Sequence, residues 1–404
     1  MKNKDFKTVL VVIDGIGDVP NPMLNNQTPL EAAFTPHLHY IATNGSIGCI
    51  NTVFKGFPIE SMVCIMGLIG YNPEQYYPAG RAAFEAMAKG IPLNPNDLVL
   101  RCNLISLDDK KEKLADFTAG LITDSNARKV ISKIKLPFSN WELYPGQSYR
   151  NILIIREANI NAKMIKCYEP HMNIGNDWKG ILPSYLSNEE NTLIKQIKNF
   201  LEDSVSQIAG MDLPEDCKAD MLWVWSPSKK VSWPSFKSRF NLDAAFVGAL
   251  DFLHGIAMAA DIHFDIIPGA TGYIDTNYEE KGKYALKYLE EKDLILVHIN
   301  ATDEEAHQLN HMGKIEAIEK IDKLILGPIL NTMEKKYKGN FRLVVCGDHE
   351  TRSTDGKHGS TPVPYAIYGK EIETNPAHLP MTEKNCSLSE PINSLDFLQS
   401  VTTI

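Results

Sequence analysis

The chain has 404 residues and a formal net charge of −9 at pH 7, and 44% of its residues are hydrophobic and 23% charged. This composition is typical of a soluble globular protein, and the negative charge, without a dense basic cluster, gives no support to nucleic-acid binding. No apolar run approaches the roughly 18 residues of a membrane span, and the N-terminus has no signal-peptide core. The seven cysteines are scattered without Cys-x-x-Cys spacing, which indicates reduced thiols in a cytoplasmic protein with no membrane partner.

The first element is a strand predicted at residues 8–13, a continuous β-branched run typical of a parallel sheet that is buried on both faces. It ends at Asp14, where Gly15 and Gly17 allow a ligand to approach closely. A carboxylate in this position suits a metal ion. The alternative is an Asp that caps a Gly-rich turn.

Ser61 precedes a mostly apolar run at residues 62–69, which predicts a short buried helix. A serine in this position is most often an N-cap, whose hydroxyl accepts hydrogen bonds from the first free amides. The functional alternative is a nucleophile that carries a phosphoryl group at the positive end of the helix. Because no histidine neighbours Ser61 in sequence, a metal ion is then expected to activate its hydroxyl.

The sequence pattern changes near residue 96, where strands become shorter and hairpin-like turns and charges become more frequent. A chain of this length is expected to hold two domains, or one core with a large insertion. We therefore predict an inserted α+β substrate or lid domain at residues 96–217, within a core domain formed by residues 1–95 and 218–404. The insertion is predicted to contain strands at 98–105 and 149–155, a strand from 165 and an amphipathic helix at 188–209.

The core pattern returns in three apolar segments, at residues 221–225, 244–260 (with helical spacing) and 293–299. After the last of these, Thr302 and Glu305 form a predicted capping box. Asp303 and His307 then lie four residues apart on one face of the following helix, which suits a chelate. A solvated acid with a surface histidine is an equal alternative.

Another buried strand is predicted at residues 343–346, and the turn after it presents Asp348 and His349, with His358 nine residues beyond His349. Ligands gather at the carboxyl ends of strands in α/β folds, and a carboxylate with two imidazoles suits Zn²⁺ or Mn²⁺. The alternative is a turn with a capping Asp and solvated histidines.

Acidic and imidazole side chains thus follow three separate predicted strands. One such placement can be incidental, but three incidental placements together are much less expected. Together with Ser61, these side chains supply enough ligands for two metal ions, which can clamp the attacking and leaving oxygens of a phosphoryl transfer. The residues alone therefore predict an α/β fold with a two-metal phosphoryl-transfer site and Ser61 as its candidate nucleophile.

A set of motifs extends in order along nearly the whole chain. It comprises residues 11–18, 28–33, 61, 70–73, 268–272, 275–277, 302–307, 347–349 and 358–364. These motifs resemble those of the archaeal-type, cofactor-independent phosphoglycerate mutases of the alkaline phosphatase superfamily. The resemblance implies an alkaline-phosphatase-like, doubly wound and mostly parallel sheet with an inserted smaller domain. It also implies interconversion of 3-phosphoglycerate and 2-phosphoglycerate through a phosphoserine held between two metals.

The resemblance further implies roles for single residues. One divalent ion, Mn²⁺ or Zn²⁺ with Mg²⁺ as a further option, would be held by Asp303, His307 and His358. The second would be held by Asp14, Ser61, Asp348 and His349, with Ser61 as the catalytic nucleophile. The substrate would be a small phosphorylated metabolite, and the candidate contacts to it are Arg81, Arg101, Asn103, Arg150 and His171.

Other stretches are more similar to a bacterial branch of the family that includes proposed homoserine kinases. They are residues 116–120, 148–150, 234–239 and 275–278. The chain also departs from the family at Met62, where an Asp is common, and at residues 117–121, where arginines are common. Two alternatives to a mutase therefore stay open: the same chemistry with homoserine or water as the acceptor, and a non-catalytic metal-binding descendant.

Overall fold

The computed structural model describes residues 6–187 and 191–403. Its strands are β1 Lys7–Ile13, β2 Ser46–Asn51, β3 Leu98–Leu107, β4 Leu114–Asp116, β5 Trp141–Tyr144, β6 Arg150–Ile155, β7 Ile165–Lys166, β8 Ser184–Tyr185, β9 Met221–Ser228, β10 Ala244–Val247, β11 His263–Phe264, β12 Leu294–Ile299, β13 Phe341–Gly347, β14 Glu350–Thr351, β15 His358–Gly359, β16 Val363–Gly369 and β17 Ile392–Asn393.

The α-helices are α1 Pro29–Ala32, α2 Pro36–Asn44, α3 Ser61–Leu68, α4 Pro73–Tyr76, α5 Ala82–Ala88, α6 Asp124–Lys133, α7 Thr192–Ala209, α8 Phe236–Phe240, α9 Asp251–Ala260, α10 Tyr278–Leu289, α11 Ala301–His307, α12 His311–Ile321, α13 Gly327–Tyr337, α14 Glu383–Cys386 and α15 Ser394–Thr402. Short 3₁₀ helices occur at Pro22–Leu24, Ala162–Met164, Pro170–Met172 and Trp178–Ile181, and a π-helical turn at Asp322–Leu326 joins α12 to α13.

The first of two compact units comprises residues 1–77 and 233–404. Among its described residues, eight strands form one sheet in the order β11-β10-β12-β1-β13-β16-β2-β17. Pairing is parallel except where β16 meets β13 and β2. Strands β1, β12 and β13 are buried at every position, as expected of central strands that are covered on both faces. The predicted α/β fold with a mostly parallel sheet is confirmed.

Helices cover this sheet on both sides. Val9, Val11 and Ile13 of β1 belong to a core cluster that also contains residues of α2, α10, α12 and α13. The alternating residues Leu10 and Val12 are equally buried but lie outside that cluster. Helices α9 and α15, which are also absent from the cluster, contact β10 and β13 respectively. The alternation of β1 therefore divides its side chains between two helical layers.

Two local predictions are wrong. Residues 244–260 are not one helix, because Ala244–Val247 pair with β12 as strand β10 and α9 begins only at Asp251. A short apolar run fits either structure, and here the neighbouring strand decides the outcome. Thr302 does not form a capping box either: α11 is preceded by Asn300, and the Thr302 hydroxyl donates a hydrogen bond to the carbonyl of Asp14.

The second unit comprises residues 78–232, and its described part contains a five-stranded antiparallel sheet with β3 paired to β4, β6 and β9. These bounds differ from the predicted 96–217. Helix α5 packs on Val99, Ile152 and Ile154, and β9, assigned from sequence to the core domain, pairs with β3. Both elements therefore belong to the second unit through contacts with residues distant in sequence.

The amphipathic helix predicted at residues 188–209 is α7, which extends over Thr192–Ala209. Residues 188–190 lie outside the described residues. Within 6–187 and 191–403, no helix combines the length and apolar character that crossing a membrane requires.

Candidate active site

Three adjacent parallel strands of the first unit end at one level. The register of β1 places Ile13 beside Ile299 of β12 on one side and beside Gly347 of β13 on the other. The residue that follows β1 is Asp14, and the residue that follows β13 is Asp348. Because parallel strands deliver their carboxyl ends to the same edge, residues more than 300 positions apart meet there.

Ser61 joins this group from the start of α3. Its Oγ lies 3.1 and 3.3 Å from the two carboxylate oxygens of Asp14 and 3.2 Å from Nε2 of His349. The N-cap of α3 is Glu60, and no side-chain capping hydrogen bond is present. The hydroxyl of Ser61 therefore points to an acid and an imidazole, and it does not cap the helix.

Asp303, His307 and His358 form a second group. The Asp303 carboxylate lies 3.3 Å from Nε2 of His307 and 3.4 Å from Nε2 of His358. The Nδ1 atoms of the two rings donate to the carbonyls of Gly356 and Ile59, at 2.7 and 2.6 Å. Since a carbonyl can only accept, each ring keeps its proton on Nδ1, so that Nε2 is the nitrogen left to bind a cation, and the two Nε2 atoms are 3.0 Å apart.

The two groups are joined at His349. The imidazole of His349 has ligand atoms within 4.8 Å of both Asp303 with His358 and Asp14 with Asp348. All seven predicted metal and nucleophile residues are therefore in one continuous cluster. They are Asp14, Ser61, Asp303, His307, Asp348, His349 and His358.

Burial and mutual repulsion shape the protonation of these groups. Burial, followed by the charges of Asp348 and Asp303, raises the pKa of Asp14 well above its ordinary value. Burial acts in the same direction on Asp303, but hydrogen bonds from His307 and His358 outweigh it and hold the pKa of Asp303 well below its ordinary value. The bond with Asp303 raises the pKa of His307 to about 9.

The donor set suits divalent metal ions. Asp14, Asp303 and Asp348 are all buried, and within the described residues their ion pairs are with histidines alone. Oδ2 of Asp348 is buried and has no hydrogen-bond partner among the described residues. Buried carboxylates without a lysine or arginine, together with imidazole Nε2 atoms turned toward them, are the arrangement that a bound cation neutralises.

The structure adds two residues that sequence reasoning did not identify. His298 of β12 is buried, with Nε2 3.3 Å from Oδ2 of Asp14, and burial lowers its pKa to about 4. Thr351, also buried, hydrogen bonds to both Asp303 and His349. The sequence signal for His298 was an imidazole inside an otherwise apolar strand, whereas its place beside the strand that ends at Asp14 comes from the sheet pairing.

A buried ion pair supports the loops that carry these ligands. Nζ of Lys314 in α12 lies 2.8 Å from Oδ2 of Asp18, and both side chains are fully buried. The ammonium also donates to the carbonyls of Gly17 and Thr351, at 3.3 and 2.7 Å. One side chain therefore fixes the loop after β1 to the strand after His349.

We expect Lys314→Met to destabilise the fold by about 3–5 kcal/mol, because it leaves Asp18 buried without its charge partner. Lys320→Met is the matched control, since Lys320 lies on the same helix in an exposed pair with Glu316, and such pairs contribute about 0–1 kcal/mol. Urea denaturation of both variants measures the difference. Equal losses would show that the buried pair does not support the loops.

Four of the five predicted substrate contacts, all in the second unit, surround one indole ring. The guanidinium carbons of Arg101 and Arg81 lie 4.1 and 5.5 Å from the centroid of Trp225. The indole N–H donates to Oδ1 of Asn103 at 3.2 Å, and the ring of His171 is 5.8 Å away. Trp225, which the sequence did not single out, thus organises this group.

Positive charge is in excess here. Arg101 is buried and its Nε lies 3.1 Å from Glu85; Nε of Arg81 lies 3.4 Å from the same carboxylate. Nη1 of Arg101 and Nε of Arg81 make no hydrogen bond within the described residues. Burial, and then the nearby charge of Arg81, lowers the pKa of Arg101 to about 9. Guanidinium groups with unsatisfied N–H donors suit an oxyanion.

The family model and the relatives that this chain resembles share one description. A family model described as 2,3-bisphosphoglycerate-independent phosphoglycerate mutase matches residues 42–210. A protein of that name from Methanosarcina barkeri is 34% identical over 366 residues, which are 90% of each chain. A probable enzyme of the same name from Geobacter sulfurreducens is 32% identical over 374 residues, which are 92% of each chain.

Two solved structures are also similar. A protein from Pyrococcus horikoshii superposes with a TM-score of 0.81 at 22% identity, over 98% of this chain and 96% of the other, and supports the fold alone. A cofactor-independent phosphoglycerate mutase from Thermoplasma acidophilum superposes with a TM-score of 0.66 at 25% identity, over 98% of each chain.

Proposed function

This chain belongs to the family of 2,3-bisphosphoglycerate-independent phosphoglycerate mutases, and we propose that it interconverts 3-phosphoglycerate and 2-phosphoglycerate through a phosphoserine at Ser61. One observation carries the proposal: the Ser61 hydroxyl lies 3.1–3.3 Å from Asp14 and His349, within a buried cluster of carboxylates and imidazoles. An oxygen nucleophile beside potential proton acceptors is what the first transfer requires.

We assign two divalent ions, Mn²⁺ or Zn²⁺ with Mg²⁺ as a further option, to the two groups of side chains. Asp303, His307 and His358 would hold one ion, and Asp14, Ser61, Asp348 and His349 would hold the other. Bound there, the ions would supply positive charge for the transferring phosphoryl oxygens and lower the pKa of the serine hydroxyl. In His307 and His358, Nδ1 is hydrogen bonded to a backbone carbonyl and Nε2 is left to bind a cation, which supports this grouping.

Ser61 then carries the chemistry in two balanced transfers. In the first, Oγ attacks phosphorus, the bond from phosphorus to the substrate oxygen breaks, and the serine proton passes by way of an Asp14 carboxylate oxygen, 3.1 Å away, to the departing substrate oxygen. In the second, the neighbouring hydroxyl of the glycerate attacks the phosphoserine, the bond from phosphorus to Oγ breaks, and the hydroxyl proton returns to Oγ. Asp14 and His349 are fully buried, and a buried setting limits the approach of water, which would otherwise take the phosphoryl group.

In the second unit, we propose that Arg81, Arg101 and Arg150, with Asn103 and His171, bind the anionic groups of the substrate. Nε of Arg81 and Nη1 of Arg101, which make no hydrogen bond within the described residues, support this assignment. Arg150, whose guanidinium lies 4.5 Å from the ring of Tyr149, adds a third positive charge. The carboxylate and the phosphate of a phosphoglycerate match this excess of guanidinium over carboxylate.

The test is conversion of 3-phosphoglycerate by protein loaded with Mn²⁺ or Zn²⁺, followed through a coupled enolase assay. Parallel assays measure phosphate release from the same substrate, and phosphorylation of homoserine from a nucleoside triphosphate. We expect turnover in the first assay and loss of it on chelation. Turnover in either parallel assay alone would replace the mutase assignment with a phosphatase or a homoserine kinase.

We expect Arg101→Lys to raise KM for 3-phosphoglycerate about 10- to 100-fold with a smaller change in kcat. Lysine keeps the charge but loses the planar donors, and a hydrogen bond to a charged group contributes about 1.5–3 kcal/mol. Arg128→Lys, at an exposed position of α6 in the same unit, is the matched control and should leave KM unchanged. An unchanged KM for Arg101→Lys would remove this arginine from the substrate site.

A further inference from the structure

Thr351 lies between the two groups of candidate metal ligands. Its side chain is fully buried, and Oγ1 is 2.6 Å from Oδ1 of Asp303 and 3.0 Å from Nδ1 of His349. Asp303 is assigned to one metal ion and His349 to the other. Thr351 is therefore a side chain through which one group can influence the other.

The direction of these two hydrogen bonds follows from the number of protons available. A threonine hydroxyl has one proton to donate, and a carboxylate can only accept. The hydroxyl of Thr351 is the donor to Oδ1 of Asp303 at 2.6 Å, and this carboxylate also faces the imidazoles of His307 and His358. The hydroxyl proton therefore goes to Asp303, and Oγ1 is left with only lone pairs to offer to His349.

His349 differs from the other two histidines in this respect. His307 and His358 have backbone carbonyls at Nδ1, and a carbonyl fixes the tautomer by itself. The Nδ1 partner of His349 is a hydroxyl, which can donate or accept. Only the second bond of that hydroxyl, to Asp303, determines that Nδ1 of His349 is the protonated nitrogen.

We infer that Thr351 is a positioning residue that fixes His349 in the Nδ1–H tautomer, so that Nε2 presents its lone pair toward Ser61 and Asp14. The inference rests on the proposed role of His349 as a metal ligand. Nε2 of His349 lies 3.2 Å from Oγ of Ser61 and 3.3 Å from Oδ1 of Asp14. The opposite tautomer would place a proton on Nε2 and prevent this nitrogen from ligating a cation or accepting a proton.

The backbone around Thr351 holds the hydroxyl in place. The Thr351 N–H donates to the carbonyl of Gly17 at 3.0 Å, and its carbonyl accepts from Nζ of Lys314 at 2.7 Å. A Cβ at Gly15, where φ is +62°, would lie only 2.5 Å from Oγ1 of Thr351 and 2.9 Å from Oδ1 of Asp303. Glycine at this turn thus leaves the room that the hydroxyl bridge requires.

The first test reads the tautomer directly. Protein labelled with ¹⁵N-histidine and freed of metal is observed by NMR at pH 8, with His349→Gln used only to assign the resonance. We expect an Nδ1–H ring with unprotonated Nε2 in the wild type and in Thr351→Ser, which keeps the hydroxyl. In Thr351→Val, which is similar in shape, we expect a mixture of tautomers. A wild-type ring protonated on Nε2 would overturn the inference.

The second test measures metal affinity by titration with Mn²⁺ or Zn²⁺. Loss of a hydrogen-bond partner behind a ligand typically weakens metal binding about 10- to 100-fold, and we expect this for Thr351→Val but not for Thr351→Ser. Thr354→Val, at an exposed position of the same loop, should bind like the wild type. Wild-type affinity in Thr351→Val would contradict the positioning role.

Neither measurement requires substrate. A chain that fails the enolase-coupled assay but shows the expected tautomer and affinities would leave this inference intact while removing the mutase assignment. If Thr351→Val turns over 3-phosphoglycerate as well as the wild type, with unchanged tautomer and metal affinity, the mutase assignment stands and the positioning role of Thr351 is removed.

Discussion

Replacement of Ser61 by alanine is expected to reduce kcat for mutase turnover by at least about 10³-fold, and removal of a catalytic serine can cost about 10⁶-fold. No other hydroxyl in the described residues is bonded to both Asp14 and His349. Metal content should change little, because the carboxylates and imidazoles of both groups remain. Enolase-coupled kinetics and elemental analysis of the same preparation measure the two quantities.

Ser235→Ala separates this role from capping. Ser235 precedes α8 and accepts a hydrogen bond from the N–H of Ser238, so its loss should lower stability by about 1 kcal/mol without loss of turnover. Incubation of the wild type with labelled substrate should also label Ser61. Full activity in Ser61→Ala would show that another group accepts the phosphoryl moiety.

Replacement of Asp303 by asparagine is expected to lower bound metal from two equivalents per chain to about one, and to abolish turnover. The amide keeps the shape of the side chain but removes the charge that faces His307 and His358, and metal sites depend on anionic ligands. Elemental analysis after dialysis counts the ions.

Asp355→Asn is the matched control, since Asp355 belongs to the same loop as His358 but is exposed and paired with Arg352 at 2.8 Å. It should retain two equivalents and full turnover. His358→Ala should behave like Asp303→Asn. Two equivalents in both of those variants would show that the ligands are grouped differently from our assignment.

Much of the candidate site could be predicted because its ligands follow local patterns. Asp14 and Asp348 each come directly after an apolar, β-branched strand, and such strands are recognisable in a single sequence. Their convergence then follows from the general geometry of parallel sheets. The α/β fold was predictable for the same reason, since its central strands are buried at every position.

The residues that escaped prediction acquire their roles from pairing between distant segments. His298 matters because β12 lies beside β1 with Val12 opposite it, and Thr351 because its hydroxyl reaches both Asp303 and His349. The boundary of the second unit was displaced for a similar reason, since β9 is defined by its partner β3. A short stretch of sequence does not show which distant strand or side chain each of these residues will contact.

The order of the central strands has a consequence for biosynthesis. Asp14 emerges from the ribosome early, whereas Asp348 and His358, which complete the cluster, follow more than 300 residues later. Contacts of such long sequence separation form late. A nascent chain, or one truncated before β13, therefore possesses Ser61 and Asp14 but lacks Asp348, His349 and His358, so that reactivity arises only once translation has delivered β13 and the sheet has closed around β1.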